Sequence, residues 1–465
     1  MSITPNSVAP ARKQPPVREV GQQAPVTQFV APLSSVQQRV WRLERSRPGF
    51  YYSPVALRLR FPLSPGRLLR SFAKLLARHE ILRSIFTEYR GAPVQVVAPL
   101  RDVHLPIIDL SGLPHRFRDG LAGELLWTVG RMPFDLARGP LIRPLLVRVG
   151  AADHVFHITA HHLVFDGSSQ DVLIRDISSF YFAGENRDPG LPPLRIQYRD
   201  HARRTALEEK ELSGEAAYWG RQLSPPRHVL RLPFDRPRPA NPSYAGARTR
   251  VRFETAAITR LRSLAQQEGA TLFMVMAAVL TAFLWQSSNG DDIIIGVPVE
   301  NRLSMDTEEL IGPFVNILAL RSRVDEQRSL RDLVGQVRQV TLQAFANQRF
   351  PFDSVLRMLW PEKELSNYGV RGEAPLFQAC FDYHTVASEN KGPLALTPFE
   401  HGSVLVGCDV FVAMLEGPNS VESSFAFTTD LFHRSTGFEM ARHLERLTAW
   451  LARWPDERLS AFARY

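Results

Sequence analysis

Two adjacent histidines and an aspartate lie close together in the stretch HHLVFDG, residues 161–167. A histidine with a pKa near neutrality can act as a general base and deprotonate an amine or alcohol that attacks a carbonyl group. His162 is the candidate for that role. The same spacing is also compatible with a hydrogen-bonded core histidine followed by an aspartate, Asp166, that only marks the entry to a helix.

Other chemistries find less support in the sequence. A zinc site needs three or four ligands, and the nearby His154 and His157 are not accompanied by an HExxH motif or a cysteine pair. The sequence also lacks a GxSxG elbow, a Walker loop and a GxGxxG motif. We therefore expect no metal and no bound cofactor. Both reactants would come from outside, and the protein would supply a base and a cavity that positions them.

The histidine pair ends a strand-like run of residues, DHVFHITAHH. Because side chains alternate along a strand, His162 shares one face with Phe156, Ile158 and Ala160, whereas His161 lies on the other face. His162 is therefore predicted to point towards a core or a cleft. The two imidazoles cannot enter one site together while the strand stays regular.

The residues after the strand predict a turn and a helix. Gly167 is expected to permit a tight turn that a residue with a Cβ atom would resist. Ser168 or Ser169 is expected to cap the helix, which has Asp171 in its first turn. Asp166 then lies in the turn, where backbone amides or an arginine can hold its carboxylate.

The length of the chain, 465 residues, exceeds the size at which a single hydrophobic core usually stops growing, so two lobes are expected. Residues 1–32 are predicted to be a disordered leader. Residues 33–205 form the expected N-terminal lobe and residues 247–465 the C-terminal lobe. The proline-rich segment 206–246 is predicted to link them.

The composition narrows the class of protein. An apolar fraction of 44% with 22% charged residues is typical of a soluble globular protein, and the two cysteines form no disulfide framework, which favours the cytoplasm. The longest apolar run, residues 272–285, is too short to span a bilayer comfortably, so no membrane association is expected. The net charge of +9 favours acidic partners. The arginines are scattered without a nucleic-acid-binding pattern, so we expect no nucleic acid partner.

The stretch HHLVFDG has the form HHxxxDG, and it resembles the motif of the condensation domains of nonribosomal peptide synthetases. Further stretches resemble other motifs of that family, in the family's order: LSSVQQRVWRL, RHEILRSIF, FDLARGPLIR, YRDHA, LPFDRPRP, GVPVENR, IGPFVNILALR, RFPFDSVL and APLFQACFDYH. The resemblance runs from about residue 33 to the end and covers one whole domain.

The resemblance implies an α/β (α+β) fold with two chloramphenicol-acetyltransferase-like lobes, arranged as a V-shaped pseudodimer with a tunnel between them. Acyl or peptidyl carrier proteins would approach the ends of the tunnel and deliver their groups on phosphopantetheine arms. No cofactor of the protein's own is implied, and we expect a monomer.

The resemblance also implies roles for individual residues. His162 would be the catalytic residue in the tunnel, where it would orient or deprotonate the nucleophile or stabilise the tetrahedral intermediate. Asp166 would be structural and paired with Arg302, while His161 and Gly167 would shape the turn.

Three further residues are expected on the tunnel or acceptor side. Ser168 and Ser169 stand where the family usually has Trp-Ser, which suggests a tunnel of different shape on the acceptor side. Asn316, in the stretch FVNIL, is either a tunnel residue or a turn residue.

The expected function is acyl transfer from a carrier-bound thioester to an amine or hydroxyl, with formation of an amide or ester. Because no adenylation or carrier segment follows, we expect a free-standing enzyme if the chain is complete, of the kind that releases or decorates polyketide or peptide chains. A domain cut from a megasynthase is the alternative. One alternative is a non-catalytic platform that binds carrier proteins, as the inactive recruiting relatives of the family do. Epimerisation is a second alternative, whereas heterocyclisation is not expected because the histidines are present.

Overall fold

The computed structural model describes residues 30–46, 49–184, 187–225, 230–288, 290–360, 376–385, 397–398, 404–417 and 420–464. Most of the predicted leader, residues 1–32, lies outside this part of the chain. Its last three residues, Val30–Pro32, instead form a strand, because their backbone pairs with a neighbouring strand and Ala31 is buried.

Helices and strands alternate along the described chain, so the mixed helix-and-sheet fold predicted from the sequence is confirmed. The helices are α1 (Ser35–Ser46), α2 (Pro65–Arg78), α3 (His115–Gly130), α4 (Ser169–Ala183), α5 (Tyr198–Glu208), α6 (Ser213–Leu223), α7 (Thr255–Gln267), α8 (Leu272–Gln286), α9 (Met305–Glu308), α10 (Leu330–Ala346), α11 (Phe352–Leu359) and α12 (Arg434–Arg453). Short 3-10 helices are formed by Glu80–Arg83, Glu209–Glu211 and Leu459–Arg464.

The strands belong to three sheets. They are β1 (Val30–Pro32), β2 (Tyr52–Leu59), β3 (Ser84–Tyr89), β4 (Ala92–Val97), β5 (Ile107–Asp109), β6 (Ile142–Gly150), β7 (Asp153–His161), β8 (Ala245–Val251), β9 (Asp292–Val299), β10 (Asn316–Arg323), β11 (Ala379–Thr385), β12 (Thr397–Pro398), β13 (Val404–Leu405), β14 (Val410–Glu416) and β15 (Val421–Thr428). A sheet of order β12-β2-β7-β6-β5 has β7 at its centre, antiparallel to β2 and β6. A larger sheet has the order β10-β9-β11-β14-β15-β8-β13, and a small one the order β1-β4-β3.

Two large apolar cores accompany these sheets. One is built from buried residues between positions 33 and 202, with three contributions from the other half of the chain, Leu310, Ile311 and Phe314. The second core is built from buried residues between positions 212 and 459. The segment 206–246, predicted as a link, contributes Leu212 and Trp219 to the second core and is therefore packed along part of its length.

The two halves of the chain also share a sheet. Strand β12 comes from the C-terminal half, yet it pairs with Leu57 and Arg58 of β2 in the sheet that contains β7. The sequence did not predict this exchange, because a strand of two residues has no measurable periodicity. The pairing of β12 with β2 adds backbone hydrogen bonds to the packing between the halves.

Among the described residues, no single helix is long and apolar enough to cross a membrane. Helices α7 and α8 together have the necessary length and composition but meet at an angle of 111°.

Candidate active site

Strand β7, at the centre of its sheet, ends at His161, and His162 follows it directly. Eight of its nine residues are buried, and Phe156 and Ile158 belong to the core of the N-terminal half, whereas Val155 packs in a smaller cluster. At the end of the strand, the backbone N–H of His161 donates to the oxygen of Leu141 at 2.9 Å. The next N–H, of His162, donates to the oxygen of Tyr51 at 2.8 Å. These bonds fix the positions from which the two imidazoles project.

The partly buried imidazole of His162 is oriented by its own chain. Its Nδ1 lies 3.1 Å from the carbonyl oxygen of Phe165. Because a carbonyl oxygen can only accept, Nδ1 carries the proton and Nε2 carries the lone pair. Burial and the neighbouring His161 lower the pKa of His162 to about 4, so the ring is neutral at pH 7. In this state Nε2 can accept a proton.

A serine that the sequence motifs did not single out lies beside this ring. Ser53 Oγ lies 3.1 Å from Nε2 and 3.3 Å from Nδ1 of His162. The ring of Tyr51 approaches His162 edge-on, with 6.5 Å between ring centres. Both residues could have been found from the pairing of β2 with β7. In this pairing Tyr52 lies opposite His161, so Tyr51 and Ser53 lie on the same face of the sheet as His162.

His161 is fully buried on the other face. Its Nδ1 accepts a hydrogen bond from the backbone N–H of Leu163 at 3.0 Å. Its ring packs against Tyr52 and Phe134, with ring centres 5.4 and 6.1 Å away. Its Nε2 lies 3.6 Å from a carboxylate oxygen of the buried Glu44. These contacts hold the turn after β7, and they point His161 away from His162.

The carboxylate of Asp166 forms hydrogen bonds to two segments of the chain and holds them together. Oδ1 accepts from the backbone N–H and the hydroxyl of Ser169, at 2.9 and 2.7 Å. Oδ2 accepts from the backbone N–H of Phe314 at 2.9 Å. Asp166 is 2% exposed, and its oxygens are directed at these donors rather than at His162. It therefore acts on the site by fixing the turn.

Arg302 and Asp166, which the sequence places far apart, lie next to each other. A guanidinium nitrogen of Arg302 is 3.4 Å from Asp166 Oδ1, and both side chains are almost completely buried. The other terminal nitrogen donates to the carbonyl oxygens of Thr307 and Leu310, at 2.6 and 2.7 Å. The guanidinium also lies over the ring of Phe314, 4.1 Å from its centre. Arg302 thus stabilises the loop around Thr307 and Leu310 and connects it to Asp166.

The turn between β7 and α4 is present, but Gly167 and Ser168 do not stabilise it in the way that the sequence predicted. Gly167 is exposed, its backbone is outside the left-handed region, and a Cβ atom there would meet open space. The turn therefore does not require glycine on conformational grounds. The cap is also different, since Ser168 makes no capping hydrogen bond and Asp166 instead accepts from the backbone N–H of Ser169.

Ser168 and Ser169, expected together on the tunnel or acceptor side, have different environments. Ser168 is partly exposed. Ser169 is completely buried, and its hydroxyl lies 3.0 Å from both the N–H and the carbonyl oxygen of Gly312. Ser169 therefore joins the two halves of the chain and does not line an opening.

Asn316, at the start of β10, is likewise occupied by structural contacts. Its amide nitrogen donates to the carbonyl oxygens of Gln348 and Phe350, at 2.8 and 2.9 Å, and its oxygen accepts from the N–H of Phe352 at 3.0 Å. The side chain is 5% exposed. These contacts hold the chain that leads into α11. Asn316 begins a strand and is not a turn residue, while a place beside a tunnel stays a prediction.

Arg42, which follows Trp41 on α1, also has a defined partner. It donates to the carboxylate of Asp353 on α11, and Arg39 lies 3.8 Å from the same carboxylate. Burial lowers the pKa of the Arg42 guanidinium and raises the pKa of the Asp353 carboxyl. This ion pair connects α1 to α11 and adds a second link between the halves.

In the described part of the chain, no group of three or more histidine, cysteine, aspartate or glutamate side chains is placed to hold a metal ion. The arrangement around His162 is that of a neutral imidazole with its Nε2 available, held on a rigid turn.

A family model described as "Condensation domain" matches residues 27–463, which include the histidine pair, Asp166 and Arg302. The chain belongs to the condensation-domain family. The resemblance seen in its motifs is therefore confirmed over almost the whole chain.

Two curated relatives show the context in which similar domains occur. A protein of the linear gramicidin synthase of Brevibacillus parabrevis is 35% identical over 440 residues, which are 92% of this chain and 6% of that protein. Phosphinothricin tripeptide synthetase PhsC of Streptomyces viridochromogenes is 39% identical over 355 residues, which are 75% of this chain and 32% of that protein. This condensation domain thus spans a small fraction of the length of the synthetases it matches.

Solved structures confirm the chloramphenicol-acetyltransferase-like fold of the condensation domain. The X-domain from teicoplanin biosynthesis superposes with a TM-score of 0.82 at 26% identity, over 94% of this chain and 98% of that one. The same X-domain in a complex with OxyB gives a TM-score of 0.79 at 26% identity, over 94% and 96% of the two chains.

Proposed function

We propose that this condensation domain transfers an acyl group from a carrier-protein phosphopantetheine thioester to an amine or hydroxyl acceptor, with formation of an amide or ester. The observation that carries the proposal is the state of His162. Its Nδ1 is committed to the carbonyl oxygen of Phe165, and its Nε2 is left with a lone pair beside a partly exposed face. A neutral imidazole in this state is equipped to take a proton from an attacking nucleophile.

In the proposed reaction, His162 acts at the nucleophile. The nucleophilic nitrogen or oxygen attacks the carbonyl carbon of the thioester, the C=O electron pair moves to the oxygen, and the proton of the nucleophile passes to Nε2. The electron pair then returns, the C–S bond breaks, and the leaving thiolate takes the proton from Nε2. The products are the amide or ester and the free phosphopantetheine thiol, and His162 returns to its neutral state.

Asp166 and Arg302 support this step as positioning residues. Asp166 joins the start of α4 to the backbone of Phe314, and Arg302 joins Asp166 to the loop that ends at Leu310. The turn that supplies the carbonyl of Phe165 is thereby fixed between both halves of the chain. A general base held in this way needs little reorganisation to meet a bound nucleophile.

A second function is favoured by one comparison. The teicoplanin X-domain, to which this chain is similar over 94% of its length, has been solved in a complex with OxyB. A domain of this fold can therefore serve as a binding partner of another protein. By this second hypothesis the chain is a non-catalytic platform that recruits carrier proteins or enzymes.

A reconstitution assay separates the two functions. The chain would be mixed with a panel of acyl and aminoacyl groups loaded on carrier proteins as donors. Carrier-bound amino acids, free amines and alcohols would be the acceptors, and intact-mass spectrometry would detect the condensed product. The proposal predicts product from at least one pair. Carrier binding without product from any pair in the panel would contradict the proposal and favour the platform.

A further inference from the structure

Ser53 is placed at the candidate base by the backbone of two paired strands. Its strand β2 pairs with β7 in antiparallel register, with Ser53 opposite Ala160. The N–H of His162 donates to Tyr51 at 2.8 Å, which extends the pairing beyond the strand end. The position of Ser53 relative to the imidazole is therefore set by hydrogen bonds of the main chain, and not by the serine side chain.

The two distances from Ser53 Oγ to the imidazole define which side of the ring it occupies. Oγ lies 3.1 Å from Nε2 and 3.3 Å from Nδ1 of His162. The two nitrogens point in different directions in the ring plane, so an atom in line with one lone pair lies well beyond hydrogen-bond distance of the other. An in-plane position equally close to both would collide with Cε1. Oγ therefore lies over the face of the ring.

This position leaves the lone pair of Nε2 open. In the plane of the ring, Nδ1 is used by the carbonyl of Phe165, and a nucleophile can approach Nε2 along its lone pair. The hydroxyl of Ser53 keeps its own proton available, because within the described chain Oγ comes within hydrogen-bond distance of the His162 ring alone, and over the ring face it meets no lone pair.

The position of Ser53 Oγ determines which substrate atom it can hydrogen-bond. A nucleophile hydrogen-bonded in line with Nε2 would lie about 4 Å from Oγ, since the two directions meet at roughly a right angle. That distance is too long for a hydrogen bond to the nucleophile itself. The oxygen of the carbonyl group under attack, two bonds further on, can come within hydrogen-bond distance.

We propose that Ser53 donates a hydrogen bond to this carbonyl oxygen as it becomes negatively charged, and so acts as a catalytic residue beside His162. The inference rests on the proposed acyl transfer. Before proton transfer, His162 has no N–H to offer the oxygen, because its single proton is held by Phe165. The hydroxyl of Ser53 supplies the missing donor at the moment when charge develops on the carbonyl oxygen.

The test compares Ser53→Ala, Ser53→Thr and wild type in the carrier-based assay, with Ser178→Ala as a matched control. Ser178 Oγ donates only to the carbonyl of Ile174 within its own helix, at 2.6 Å. Removing a donor to an oxyanion lowers kcat by about 10²-fold, so we expect this loss in Ser53→Ala with KM changed less than about threefold. Ser53→Thr, which keeps the hydroxyl, should recover most of the rate, and Ser178→Ala should retain it.

The pH dependence of kcat distinguishes a donor to the substrate from a residue that only tunes the base. We expect the same midpoint in Ser53→Ala as in wild type, with a lower plateau. A shifted midpoint with an unchanged plateau would overturn the proposal, as would a kcat equal to that of wild type, and either result would leave the acyl transfer standing. If wild type itself forms no product with any donor and acceptor, the proposed function and the role of Ser53 both fail.

Discussion

The imidazole of His162 obtains its protonation state from the main chain. Its Nδ1 lies 3.1 Å from the carbonyl oxygen of Phe165, three residues further along, so the carboxylate of Asp166 is not needed to select the tautomer. Asp166 directs its oxygens to Ser169 and Phe314 instead. The closely spaced histidine and aspartate of the motif thus differ in their surroundings: His162 keeps the lone pair of Nε2, whereas both oxygens of Asp166 accept hydrogen bonds from the scaffold.

The rate of acyl transfer should depend on pH through His162. The pKa of this imidazole is lowered to about 4 by burial and by His161, so its basic form predominates above that pH. We expect kcat to rise as pH increases through about 4 to 5 and to be level between pH 6 and 7.5. Single-turnover rates between pH 4 and 8 would measure this. A midpoint near 6.5, the ordinary value for histidine, would contradict the environment described for the ring.

Alternation along one strand was enough to predict that the two imidazoles point in different directions. The same reasoning could not assign Ser169 or Asn316, because their hydroxyl and amide groups bond to Gly312 and to the chain before α11, which are distant in sequence. Ser53 was missed for a similar reason. Its place beside His162 follows from the pairing of β2 with β7, and a single strand does not reveal its neighbour.

At the scale of elements, the start of α4 and the loop before β10 form a close junction. Gly312 in this loop bonds to Ser169, and a Cβ atom at Gly312 would lie 2.1 Å from a ring carbon of Tyr198. Tyr198 is 1% exposed, and its hydroxyl is 2.8 Å from both Ser34 and the carbonyl oxygen of Pro313. The ring cannot move aside without breaking these bonds, so the junction has room for glycine only.

Two glycine substitutions test this junction and the turn at Gly167. Gly312→Ala should lower the free energy of unfolding by about 2 kcal/mol, because the added methyl group collides with a fixed aromatic ring. Gly167→Ala should change it by less than about 0.5 kcal/mol, because the methyl group meets open space. Urea unfolding of both variants provides the measurement. Equal losses would show that the turn at Gly167 requires glycine after all.

Some long elements carry clear signals in the sequence. Helix α2 begins at Pro65 behind the capping hydroxyl of Ser64, a combination typical of a helix start. The exchange of β12 into the sheet of the other half was not predictable, since Thr397–Pro398 is too short to show a pattern. The segment 206–246 packs partly into the second core because helix α6 carries Trp219, a residue 2% exposed.

At the scale of the whole molecule, the net charge of +9 bears on the partners. Carrier proteins are typically acidic, so a basic domain would attract them over a distance set by the ionic strength. The links between the halves, at Asp166 and Arg302 and at Arg42 and Asp353, would keep the site assembled while such partners bind and leave.

The affinity for a carrier protein should therefore fall as salt increases. Because the screening length is about 10 Å at 0.1 M ionic strength, we expect clearly weaker binding at 0.3 M than at 0.05 M salt. Fluorescence anisotropy of a labelled, phosphopantetheine-bearing carrier protein would measure the dissociation constant. A constant that does not change with salt would mean that the positive charge has no part in recognition.

The single-turnover rate of His162→Ala measures whether His162 is the general base of an acyl transfer. With a donor and acceptor pair that wild type condenses, we expect the variant to be slower by about 10²- to 10⁴-fold, the usual contribution of a general base. Ser178→Ala serves as the control that should condense at the wild-type rate. If His162→Ala, folded as judged by its urea midpoint, forms product as fast as wild type, then His162 is not the base.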